Sequence, residues 1–393
     1  MPQRKRVAVF LDGTWNIVDD NTNVWRIKSL CAPNDIDQIT YYDEGVGTQV
    51  GQKIIGGMFG YGLDQEITDA YEWLIENYDT DDELFIFGFS RGAYTARALS
   101  GFISKCGLLQ PGAPLGVKQL YDRYRLTKGV RTIRELARDK ASNPDGSFTL
   151  EEAWMLEYSM PVPIKFVGVW DTVGALGIPF GNIPVISRKD YQFLETDLRI
   201  NNDFAYHALA IDEHRKAFAP TLWTRTVSKD GPPDASYPTR PIEAVEQRWF
   251  VGAHANVGGG YMSDLLAQIP LRWLMSKASG HGLRFRKDIR IDGDEIKAPV
   301  CDSYSEFLYG AYRIMTLNRP YYRPIGRGPV TSASGNVITT INETIDSSVF
   351  ERWKGDTSYR PPNLADWEKV YSVDIGSLNG SVRADHPSEA VPS

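Results

Sequence analysis

An α/β fold, with a mostly parallel central sheet flanked by helices, follows from three features of the sequence. Short apolar runs alternate with segments of helical spacing. The runs stop at turn signals rich in Gly and Asp. The chain, at 393 residues, is long enough to bury a large core. Val7-Ala8-Val9-Phe10-Leu11 is the first run. A strand covered on both faces needs no polar alternation, so parallel-sheet strands read as continuous hydrophobics. This one ends at Asp12-Gly13-Thr14-Trp15-Asn16, a turn signal. Gln38-Ile39-Thr40-Tyr41-Tyr42 is a second strand. The glycine-rich stretch 51–62 predicts a loop, and Ile67, Ala70, Tyr71, Leu74 and Ile75 predict a helix over 64–78. Leu84-Phe85-Ile86-Phe87 is the third strand. The first hundred residues therefore read strand, helix, strand, helix, strand, helix, the pattern of a parallel sheet with crossover helices.

Residues 111–160 read as an inserted helical cap, with helices over 117–127, 131–141 and about 150–158 and a break at Asn143-Pro144-Asp145-Gly146. The chain returns to a strand over 161–169 that stops at Trp170-Asp171, and a later strand, 246–251, stops at Gly252-Ala253-His254. Ala205 to Arg215 is helix-like, and 227–241 is loop-like. These features divide the chain into a catalytic core over 1–275, a C-terminal extension packing on it over 276–378, and a tail over 379–393 with the composition of a disordered end.

Composition excludes several classes. The net charge of −7 leaves no basic excess to neutralise phosphates, so no nucleic-acid partner is expected. Cys31, Cys106 and Cys301 are far apart and odd in number, which predicts neither disulfides nor a zinc site and fits a reducing compartment. The basic start Met1 to Arg6 precedes an apolar run too short for a signal-peptide core. This predicts a cytoplasmic location, or export by a route without a cleaved signal. No run is long enough to cross a bilayer.

The chemistry is concentrated in Gly88-Phe89-Ser90-Arg91-Gly92. A Gly-x-Ser-x-Gly with an apolar strand before it and a helix after it is the context of the nucleophile elbow of an α/β-hydrolase fold. Ser90 would stand at the tip of the sheet in strained backbone geometry, with Gly88 and Gly92 removing side chains that would clash with the neighbouring strand and helix. A serine needs a base, and the base needs an acid to hold its tautomer, in the chain order Ser, Asp, His. Among five histidines, His254 follows a strand end within a run of small residues and is the best base; His207 and His214 are rivals, His281 and His386 weaker. Asp171, at a strand end, is the first choice of acid, with Asp212 and Asp264 as runners-up. The oxyanion needs two N–H donors. Arg91 would supply one, and Gly13 or Thr14 the other, with Asp12 bonded to loop amides or to Arg91. No metal or organic cofactor is called for. Phe10-Leu11-Asp12-Gly13-Thr14 is superficially like an aspartyl phosphatase motif, which would need an Asp where Phe10 stands, and no Gly-Lys-Ser/Thr follows the glycine run 51–62.

Six stretches, in this order, make a specific set: Phe10 to Asn16, Asn21-Thr22-Asn23-Val24, Gly88 to Ala93, Val169 to Gly174, His207 to Glu213, and Gly252 to Tyr261. Together they resemble the α/β-hydrolase domain of the type VI secretion lipase effectors of the first phospholipase group and their relatives. The resemblance implies Ser90, Asp171 and His254 as the triad, and esterase, lipase or phospholipase chemistry, most often on glycerophospholipids. The large extra membrane-binding domain of the effectors is not visible in this chain. The expected partner is a small-molecule or lipid ester, with peripheral membrane contact, and the apolar loop 177–186 reads either as a lipid-facing lid or as packed interior. Two other readings stand beside a lipid-directed esterase: a hydrolase of small soluble esters, thioesters or amides, and a catalytically silent hydrolase-fold binding module.

Overall fold

Side-chain alternation along the first strand decides how the sheet is covered. Val7, Val9 and Leu11 enter one hydrophobic cluster, while Ala8 and Phe10 enter another on the opposite face. The next strand in the sheet divides likewise, with Leu84 and Ile86 on the first face and Phe85 and Phe87 on the second. The computed structural model describes residues 4–391 except 14–20, 33, 46–57, 127–128, 175–201, 228–239, 263, 307–310 and 332–334, and the backbone alone of 58–61 and 311.

The central sheet has eight strands: β1 (Arg6–Leu11), β2 (Gln38–Asp43), β3 (Glu83–Phe89), β4 (Ile164–Trp170), β5 (Asn202–Ala210), β6 (Val245–Phe250), β7 (Glu343–Ile345) and β8 (Val382–Arg383). Their spatial order is β8-β7-β6-β5-β4-β3-β1-β2. All neighbours are parallel except β7 and β8. Helices α1 (Asn23–Leu30), α2 (Met58–Asn77) and α3 (Ser90–Cys106) are the first three crossovers. Thr22 caps α1 by accepting the Trp25 amide at 3.2 Å. The helix α2 begins six residues before the spacing predicts and takes in the end of the expected glycine loop. The rest of that loop, 51–57, the loop 177–186 and Thr14 lie outside the described residues.

The insertion forms α4 (Val117–Arg125), α5 (Ile133–Ser142) and α6 (Leu150–Tyr158). Capping boxes at Thr132 and Thr149 start the last two. Arg123 joins Glu151 at 2.7 Å, and Arg131 joins Glu152 at 2.7 Å, which ties the three helices together. Leu120, Tyr121 and Tyr124 of α4 enter the cluster under α2 and α3. Tyr124 lies against Gly101, and its carbonyl accepts from Lys105 at 3.1 Å. At 1.5 Å per residue these anchors on α3 are roughly 16 Å or more from Ser90.

Three stretches differ from the sequence reading. Residues 205–210, expected in a helix, are strand β5. They are buried on both faces, so the apolar period carries no information about helix or strand. The region after 276 does more than pack on the core: β7 extends the sheet in parallel beside β6. A third hydrophobic cluster joins Leu209, Trp249 and Val251 to Ile345, Val349, Phe350 and Trp367. The end expected to be disordered closes the sheet as β8, with Val382 paired to Ile345 and the Trp367 indole donating to the Ala384 carbonyl at 2.8 Å. Val382, Ala384 and Val391 are buried, and that burial offsets the ordering entropy of a polar segment. No described helix is long and apolar enough to cross a membrane.

Candidate active site

Strand β3 reaches the carboxyl edge of the sheet at Phe89, and α3 starts at the next residue. The turn leaves no room for side chains at two positions. A Cβ on Gly88 would come within 2.3 Å of the Gly92 carbonyl oxygen, and one on Gly92 within 2.3 Å of the Leu11 and Asp12 carbonyl oxygens. Between them Ser90 takes φ +59°, a left-handed conformation that costs a serine roughly 1–3 kcal/mol. The packed turn holds it there, and the hydroxyl projects from the sheet edge.

Two further strand ends supply the partners. β6 ends at Phe250, the turn Val251-Gly252-Ala253 follows, and the short helix α7 (His254–Gly258) places the imidazole beside the elbow. The Ser90 hydroxyl donates to His254 Nε2 at 2.8 Å. His254 Nδ1 donates to Asp171 Oδ2 at 2.5 Å. Asp171 follows β4 at φ +37° and is fully buried. Burial works against its charge, yet Arg323 and His254 hold its carboxyl well below the usual carboxylate range. Burial lowers the His254 pKa, against the opposing pull of Asp171. The Phe89 ring, 4.7 Å away centroid to centroid, and Phe218, at 5.1 Å, flank the imidazole and keep it dry.

The expected oxyanion donors are placed unequally. The Arg91 amide lies in the first turn of α3, where N–H groups point out of the helix end. The Gly13 amide donates to Asp12 Oδ1 at 2.7 Å. Asp12, at the end of β1, also accepts from the hydroxyls of Thr22 and Tyr42, so loop amide and hydroxyls together satisfy a carboxylate that is almost fully buried.

The runner-up acids are used elsewhere. Asp212 accepts the Gly252 amide at 2.7 Å and the Tyr359 hydroxyl at 3.0 Å, and burial raises its pKa. Asp264 accepts from the Asn256 side chain at 3.1 Å and the Leu266 amide at 3.0 Å; burial pushes its carboxyl up to about 6. Of the rival bases, His207 Nε2 accepts the Thr172 amide at 3.0 Å, and burial together with Arg97 lowers its pKa to about 3. It is a neutral structural histidine behind the loop that carries Asp171. His214 faces Tyr322, and His281 stacks on Phe204. Two groups escaped the sequence reading. Glu213 accepts the His254 amide at 3.3 Å while gripping Arg215 at 2.7 Å, a signal present in the adjacent acidic pair Asp212-Glu213. Arg323 forks onto Asp171 across 152 positions of sequence, and no local pattern marks it. Among the described residues, no group of three or more His, Cys, Asp or Glu could hold a metal ion.

A parallel sheet with a serine on a strand-to-helix elbow, and a histidine and an aspartate at later strand ends, defines an α/β-hydrolase. The T6SS phospholipase effector Tle1-like catalytic domain matches residues 5–277, and the chain belongs to that family of hydrolases. An uncharacterized protein of Saccharomyces cerevisiae is 27% identical over an alignment of 244 residues that covers 56% of this chain and 33% of that protein. Among solved structures, an uncharacterized protein from Pseudomonas aeruginosa aligns at TM-score 0.44 and 16% identity, covering 79% of this chain and 51% of that one. The Tle1 effector, solved bound to the VgrG spike of the type 6 secretion system, aligns at TM-score 0.35 and 19% identity, covering 66% and 52%. The chain thus spans about a third of the curated relative and about half of each of these solved chains.

Proposed function

We propose that the chain is a serine hydrolase that cleaves carboxylic esters of lipids through an acyl-enzyme on Ser90. The observation that carries this reading is the unbroken hydrogen-bond chain from Ser90 through His254 to Asp171. The Ser90 oxygen attacks the ester carbonyl as its proton passes to His254 Nε2. The tetrahedral intermediate collapses, and His254 gives that proton to the departing alcohol. Water then loses a proton to His254 as it attacks the acyl-enzyme, and the second intermediate collapses to the acid as His254 returns that proton to the Ser90 oxygen. Asp171 holds the Nδ1–H tautomer and stabilises the imidazolium. The Arg91 amide is one oxyanion donor; Thr14 is a second, or Gly13 once it releases Asp12. Membership of a phospholipase effector family supports a glycerophospholipid or related lipid ester as substrate, met by peripheral contact with a membrane.

A fluorophosphonate probe tests the mechanism. Wild-type protein labels, and Ser90→Ala and His254→Ala do not. A wild type that resists the probe while small uncharged esters are also left intact would make the fold a silent binding module. Hydrolysis that rises with acyl chain length and with substrate aggregation supports the lipid reading; flat dependence on both supports small soluble esters, thioesters or amides.

A further inference from the structure

The family match ends at residue 277, yet a side chain well beyond it reaches the centre of the site. Arg323 is fully buried in a segment without regular structure. Its Nη1 donates to Asp171 Oδ1 at 2.6 Å and to the Ala210 carbonyl at 2.8 Å. Its Nη2 donates to Asp171 Oδ2 at 2.9 Å and to the Phe218 carbonyl at 2.5 Å. The two carbonyls fix the plane of the guanidinium, and the fork then fixes the plane of the carboxylate. The backbone of Arg323 is held in turn. Asn363, in the helix Pro362–Tyr371, donates both to the Arg323 carbonyl and to the Ile211 carbonyl, at 3.0 Å each.

The oxygen that takes Nη2 is also the one that takes His254 Nδ1. Any rotation of the carboxylate therefore moves the imidazole relative to Ser90. A buried positive charge alone would neutralise Asp171 equally well from a lysine, but one ammonium cannot span both oxygens while bonding two carbonyls.

We propose that Arg323 is a positioning residue for the hydrolysis, orienting His254 through both oxygens of Asp171, so that the catalytic unit includes residues beyond the family match. This rests on the serine-hydrolase reading above. The charged groups facing His254 are Asp171 after β4, Glu213 and Arg215 after β5, and Arg323 behind Asp171. Removing the Arg323 charge strengthens the hold of Asp171 on a protonated imidazole and lets Asp171 itself take a proton more easily. Both effects move the acid limb of activity to higher pH.

The test uses the full chain, as wild type, Arg323→Lys, Arg323→Met and Arg323→Ala, with fluorophosphonate labelling rates followed across pH. Arg323→Met should label about tenfold to 100-fold more slowly, as expected for a small misplacement of a catalytic group, with the acid midpoint raised. Arg323→Lys should keep the midpoint near that of wild type and recover only part of the rate, because it restores the charge and not the fork. Guanidinium ion at a non-denaturing concentration should accelerate Arg323→Ala, and urea at the same concentration should not. Wild-type rates and midpoints in Arg323→Met and Arg323→Ala would overturn the proposal. So would slow labelling that tracks loss of cooperative unfolding and ignores guanidinium, which would make the arginine purely structural. Failure of the wild type itself to label would remove the hydrolase reading and this inference together, a result distinct from unchanged variants in an active enzyme.

Discussion

Ser90, His254 and Asp171 face one another through two short hydrogen bonds, and their surroundings lower the pKa of both the acid and the base. Burial lowers the His254 pKa, so its base form persists below the ordinary histidine range. Activity is expected above the folded-state pKa of His254 and should be lost as pH falls through it. The acid midpoint of the labelling rate should lie below about 6.5, and a midpoint above that value would mean that Asp171 outweighs burial. Asp171→Asn presents an N–H or a weak acceptor to Nδ1 and favours the wrong tautomer. Hydrolysis should fall by about 10³- to 10⁴-fold, with near-ultraviolet circular dichroism checking that the fold is kept. Asp264→Asn, whose carboxyl faces Asn256 and not the imidazole, should leave the rate nearly unchanged under the same assay.

The elbow between β3 and α3 works because three segments of backbone meet there without side chains. Gly88→Ala drives a methyl into the Gly92 carbonyl and should destabilise the protein by about 3 kcal/mol, measured by urea unfolding. Labelling should fall with it, since the same clash displaces Ser90. The insertion gives the contrasting case. Thr149→Ala removes the cap and half of the capping box of α6 and should cost about 1 kcal/mol. The insertion meets α3 at Gly101 and Lys105, far along the helix from Ser90, so the labelling rate of the folded fraction should not change.

Across the whole molecule, the sheet continues past the family match through β7 and β8, and the third hydrophobic cluster spans the boundary. A chain cut after residue 277 exposes Leu209, Trp249 and Val251 and loses Arg323 and Tyr359. It should show no cooperative urea transition. A truncated chain that unfolds cooperatively and labels at the wild-type rate would return the C-terminal region to the status of an accessory extension.

The parts legible in the sequence are those set by neighbours a few residues apart. Apolar runs marked β1, β3 and β4, because burial on both faces selects against polar side chains locally. The elbow glycines were visible through their spacing about Ser90: the clash that Gly88 avoids is local, with the Gly92 carbonyl, although the one that Gly92 avoids is with the distant backbone of Leu11 and Asp12. Asp171 could be named as a candidate because it directly follows a strand, and His254 because it sits among small residues just past a strand end. Which carboxylate meets which imidazole was a different matter: Asp212 and Asp264 stood as alternatives to Asp171, and only the order β4-β5-β6 in the sheet brings Asp171 to Nδ1. The strand at 205–210 was misread because a segment buried all round has no period. Arg323, β7 and β8 were invisible because a side chain or a short strand joined to a partner far off in the sequence leaves no local trace. Its worth depends on the desolvated partner waiting for it, and that partner exists only once the chain has folded.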